Sequence, residues 1–112
     1  MNNNQLKLWE NLESNNSLVE VQTYIKNVIN LRGFSEQNIE KTMLLLTEEV
    51  GELAKAIRKE KTSMSIDKSK LENYDTIESE IADVFIVLCT ICNKLNIDLF
   101  SVLKDKEKEN IE

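Results

Sequence analysis

An all-α fold is expected for this chain, and three observations carry that expectation. The 112 residues contain no Pro and only two Gly, too few turn formers for a many-stranded sandwich or barrel. Apolar residues instead recur at intervals of three and four along several segments, the spacing of amphipathic helices. With 41% hydrophobic and 30% charged residues, there is enough aliphatic material for a core, and the length fits one compact domain. A single domain over residues 1–112 follows, built as a four-helix bundle.

Residues 1–5 are Asn-rich and expected to fray, followed by a short helix or strap that packs Leu6, Leu8, Trp9 and Leu12 on the body. The first main helix spans Leu18 to Leu31, with Leu18, Val21, Ile25, Val28 and Ile29 on one stripe and Ser17 as its N-cap. Gly33 suits a left-handed C-terminal position, and Ser35 suits the cap of the next helix. That helix is expected from about Glu36 to Lys59, burying Met43, Leu46, Val50, Leu53 and Ile57. Residues 60–75 lose the periodicity and read as a loop; from Lys55 to Lys70 basic residues outnumber acidic ones by four.

Asp75 and Glu78 form a capping-box pattern that opens the third helix, which continues to about Leu95. Its apolar residues run nearly all the way round, so it belongs at the centre with cover on both sides. Asn96 to Asp98 end it, and Asp98 caps a fourth helix carrying Leu99, Val102 and Leu103 before a charged tail. A lone bundle of this size would leave Leu44, Phe85 or Cys89 exposed, so a dimer or tetramer is expected.

Charge and composition exclude several functions. The net charge of −6 repels a phosphate backbone, which disfavours polymeric nucleic acid as a partner. There is no His, which removes His-based acid/base catalysis, Ser-His and Cys-His triads and the usual catalytic zinc sites. Cys89 and Cys92 stand alone inside a helix and read as packing residues. No signal-peptide pattern opens the chain and no apolar run approaches the roughly 20 residues of a membrane span, so a cytoplasmic, membrane-free protein is expected.

What remains is oxygen chemistry. Taking Leu46 as zero, Glu48, Glu49 and Glu52 point within one arc of about 100° on the second helix. Glu80 lies in the middle of the apolar stripe formed by Val84, Val87 and Ile91, with Asp83 nearby. Burying an ionised carboxylate without compensation costs several kcal/mol, leaving protonation, a buried Lys or Arg, or a metal as remedies. Glutamate runs in long helices are commonly solvated faces. Joined to a second acidic pair on a stripe that should be buried, this run instead points to a cage for Mg²⁺ or Mn²⁺. Gly51, in the interior of the long helix, is expected to admit a close helix approach near that cavity.

Glu48-Glu49-Val50-Gly51-Glu52 followed by Glu80-Ile81-Ala82-Asp83 resembles the EExxE…ExxD signature of the MazG-like, all-α nucleoside triphosphate pyrophosphohydrolases. The resemblance covers about residues 18–110. It implies Mg²⁺-dependent hydrolysis between the α and β phosphates of an NTP or dNTP, with Glu49, Glu52, Glu80 and Asp83 as metal ligands. Glu48 would assist a further metal or orient the attacking water, so Glu48 and Glu49 are the catalytic candidates. By the same resemblance, Lys106 and Asn110 would contact substrate phosphate or ribose; the Arg-Tyr that often follows this Asn has no counterpart here. A nucleotide substrate and nucleotide-pool housecleaning are implied. The alternative is a non-catalytic helical dimerisation or interaction module with an acidic face.

Overall fold

The computed structural model describes residues 3–34, 36–61 and 76–112. These form five helices, α1 (Asn3–Glu10), α2 (Leu18–Leu31), α3 (Ile39–Lys61), α4 (Ile77–Lys94) and α5 (Leu99–Ile111). Among the described residues there is no strand.

Local chemistry sets the helix ends. At the start of α2, Glu20 N–H donates to Ser17 Oγ (3.2 Å) and Ser17 N–H donates to Glu20 Oε1 (2.9 Å), a reciprocal capping box. At its end Gly33 adopts φ +80°, while Gly33 and Phe34 N–H donate to the carbonyls of Asn30 and Ile29, closing a Schellman motif. The same motif ends α4, with Asn96 at φ 56° and Ile97 N–H donating to the Cys92 carbonyl at 2.8 Å. Asp98 then caps α5 by accepting from Ser101 N–H at 2.9 Å.

Several boundaries differ from the sequence expectation. Asn3 to Gln5 are helical rather than frayed. Helix α3 starts at Ile39, three residues late, because Asn38 Oδ1 accepts Lys41 N–H at 2.8 Å and takes the capping role; Ser35 lies outside the described residues. Thr76 is the N-cap of α4, accepting from Ser79 N–H at 3.1 Å, and Asp75 lies outside the described residues. Glu60 and Lys61 extend α3, while 62–75 of the expected loop are not described. The charged tail is helical to Ile111.

Helix α4 is the centre, packed against α3 on one side and α2 on the other, while α1 and α5 lie against α2. Among the described residues, the buried apolar ones are Ile25, Val28, Ala56, Val87, Cys89 and Cys92. A buried Gln22 fixes the corner: its Nε2 donates to Asn93 Oδ1 and to the Ile97 carbonyl, and its Oε1 accepts Leu99 N–H at 2.8 Å. Asn93 Nδ2 returns a bond to the Gln22 carbonyl. The corner turns α5 away from α4 by 96°. No single described helix is long and apolar enough to cross a membrane.

Helix α3 is rotated from its expected phase. Met43, Val50 and Ile57 are exposed, whereas Thr42 and Ala56 are buried and Leu46, Glu49 and Leu53 half-buried. Apolar side chains populate more than one face of α3, and the face that meets α4 is the one with small and acidic residues. Gly51 faces open space, with nothing within 4 Å of a Cβ placed there, so no close helix approach occurs at that position. Trp9 is 57% exposed rather than packed inward. Of the trio expected to be exposed in a single chain, Leu44 is, Phe85 is half-buried and Cys89 is fully buried.

Candidate metal centre

Glu80 sits in the first turns of α4, where the positive end of the helix dipole favours a carboxylate. Its phase on α4 is that of Val87, toward α3, and it is only 3% exposed. Asp83, three residues on, shares that side and is half-buried. Glu49 presents its carboxylate from the inward face of α3. One ligand oxygen from each of Glu49, Glu80 and Asp83 falls within 4.8 Å of the others. Two packed helices thus bring Glu49 to a pair of carboxylates that lie more than 25 residues further along the chain.

Like charges this close, partly removed from water, favour either proton uptake or a cation. An all-oxygen donor set with one buried member fits a hard divalent ion such as Mg²⁺ or Mn²⁺ and fits Zn²⁺ poorly. No other Asp, Glu, His or Cys joins the cluster among the described residues.

The other expected site residues stand apart. Glu52 lies one turn along α3 with its side chain 54% exposed, and one of its oxygens is 4.0 Å from Lys55 Nζ. Glu48 is exposed on the same helix. Lys106 and Asn110 ride on α5, where Lys106 Nζ is 3.4 Å from Glu109 Oε2 and Asn110 Nδ2 donates to Glu107 Oε2 at 2.9 Å. A cavity of about 170 Å³ between α2 and α4, lined by Lys26, Ile29, Thr90, Asn93 and Lys94, opens at the opposite end of α4 from the cluster. The two thiols are chemically quiet: burial, with a smaller effect from Cys92, pushes Cys89 up to about 11, and burial also raises Cys92.

Among curated proteins and among solved structures, nothing matches the chain. A family model does: that of the MazG nucleotide pyrophosphohydrolase domain matches residues 37–109. The match spans α3, α4 and most of α5, and it includes each carboxylate of the cluster. By that match, extending over most of its length, the chain belongs to the MazG nucleotide pyrophosphohydrolase domain family.

Proposed function

We propose that the protein hydrolyses a nucleoside triphosphate, NTP or dNTP, to the monophosphate and pyrophosphate, with Mg²⁺ as cofactor and Mn²⁺ as a substitute. The observation that carries this reading is the convergence of Glu49, Glu80 and Asp83 oxygens within 4.8 Å around a buried carboxylate. Family membership supplies the reaction class. Divalent ions held there would screen phosphate charge and acidify a water molecule.

In this reading Glu49, Glu80 and Asp83 hold the metal, and Glu52 adds a supporting carboxylate from the next turn of α3. Glu48, exposed beside Glu49, orients the attacking water and accepts its proton. Lys106 and Asn110 contact phosphate and ribose. Nucleotide-pool housecleaning is the role that fits a small enzyme of this chemistry. A reducing cytosol, where triphosphates are abundant and Cys89 and Cys92 stay free, is the matching compartment.

Self-association belongs to the same reading. Met43, Val50 and Ile57 on α3, and Ile81 and Leu88 on α4 with Leu95 at its C-cap, form two exposed apolar rows at seven-residue spacing, the pattern of helices seeking further helices.

A pyrophosphate-release screen across the common NTPs and dNTPs, with Mg²⁺ or Mn²⁺ at micromolar protein, tests the activity. Release from at least one nucleotide is expected, and silence across the panel would refute the assignment. Millimolar Mg²⁺ or Mn²⁺ should also raise the melting temperature through linkage, with Asp83→Asn removing the gain.

A further inference from the structure

The cavity between α2 and α4 carries a charge opposite to that of the chain. It holds about 170 Å³ and is lined by Lys26, Ile29, Thr90, Asn93 and Lys94. Two lysines and no carboxylate border it, although acidic residues outnumber basic ones 20 to 14 in the sequence. Lys26 is exposed and forms no hydrogen bond or ion pair with any described residue. Lys94 is half-buried and donates from Nζ to the Gln37 carbonyl at 2.6 Å, which fixes its ammonium where α4 meets the segment leading into α3.

The neutral polar groups of the wall are already engaged. Thr90 Oγ donates to the Ile86 carbonyl at 2.8 Å, and Asn93 is tied through both ends of its amide to Gln22. A sugar or a nucleobase entering here would lose water from its own polar groups without finding neutral partners in exchange. What the wall offers is Ile29 and the aliphatic stems of two lysines, whose ammonium ends favour an anion. Size narrows the ligand further. An apolar cavity of about 150 Å³ accepts benzene, whereas clefts for drug-sized ligands start at roughly 300 Å³.

We propose that this cavity is a binding site for a small monocarboxylate with an aromatic or branched aliphatic body, the body resting on Ile29 and the carboxylate between Lys26 and Lys94. The site is separate from the metal centre, because the rise along α4 from Asp83 to Lys94 is about 16 Å. It stands whether or not the chain is a hydrolase. The bound acid bridges α2 to α4 at Lys94, the residue that also holds the Gln37 carbonyl ahead of α3. Those contacts exist only in the folded state, so the ligand stabilises the fold by linkage.

Titrating the isotope-labelled full chain with benzoate and with isovalerate, in the absence of metal, tests the assignment by amide NMR and by melting temperature. Resonances of Lys26, Ile29, Thr90, Asn93 and Lys94 should shift saturably at millimolar ligand, and the melting temperature should rise with them. Lys26→Met, which keeps the apolar stem and loses the charge, should weaken binding about threefold. Lys26→Glu, which reverses the charge at an exposed position, should abolish it. Benzamide has the ring without the charge and inorganic phosphate has the charge without the ring, so both should bind more weakly than benzoate. No saturable shift with either acid, an equal response at these residues to benzamide or phosphate, or an unaltered benzoate titration in folded Lys26→Glu or Lys26→Met protein would overturn the proposal.

Discussion

Glu80 combines 3% exposure with two carboxylate neighbours, so its charge is the one whose environment changes most when a cation binds. We expect Glu80→Gln to abolish the rise in melting temperature produced by Mg²⁺ or Mn²⁺, read by circular dichroism with and without metal. Glu52→Gln should diminish that rise without abolishing it, because its side chain is already solvated. Gly51 offers a contrasting residue-scale test. It lies in the interior of α3 with open space where a Cβ would go, and a helical Gly costs about 1 kcal/mol relative to Ala. Gly51→Ala should therefore stabilise the protein by roughly that amount, measured as a higher urea midpoint at unchanged slope.

At the scale of elements, two caps carry a pH dependence. Glu20 titrates below its ordinary 4.5, chiefly because it accepts Ser17 N–H, and Asp98 below its ordinary 3.8, chiefly because it accepts the Ser101 hydroxyl. A carboxyl whose value is depressed on folding stabilises fully above its ordinary value, and this contribution fades as pH falls through the folded value. Urea midpoints should thus decline below pH 4.5, and Glu20→Gln should flatten the part of that decline belonging to α2. The corner made by Gln22 is a stronger lock, since it bonds α2 to Asn93, Ile97 and Leu99 from a buried position. Gln22→Leu should cost about 2 kcal/mol or more by stranding those partners.

These elements also mark how far the sequence could be read. Ser17, Gly33 and Asp98 announced their helix ends because capping is local chemistry, fixed by residues three or four apart. The central place of α4 was legible from apolar residues on all its sides. The phase of α3 was not, since Met43, Val50 and Ile57 look more like a core than Thr42, Glu49 and Ala56 do. Only packing against α4 decides between the faces. For the site, the burial of Glu80 was legible from its place amid Val84, Val87 and Ile91, while Glu49 and Asp83 were marked as its companions by the family motif, and the structure brings the three together. The solvated stance of Glu52 and the direction of α5, which carries Lys106 and Asn110 and leaves α4 at 96°, were not legible, because a helix crossing angle leaves no trace in residue spacing.

For the whole molecule, the exposed rows on α3 and α4 set an expectation about size in solution. Light scattering should report at least a dimer at micromolar concentration, and Val50→Glu with Leu88→Glu should shift the protein toward monomer with its helical signal retained. Assembly should also make the melting temperature rise with protein concentration. One feature of the centre gives access to slower events. Cys89 is wholly shielded at the heart of the bundle and its thiol is held up near 11, so an alkylating reagent reaches it only during excursions that lift α2 or α3 off α4. The speed of covalent labelling at Cys89 therefore reports how often the folded chain breathes open, and metal or nucleotide that clasps α3 to α4 should slow it.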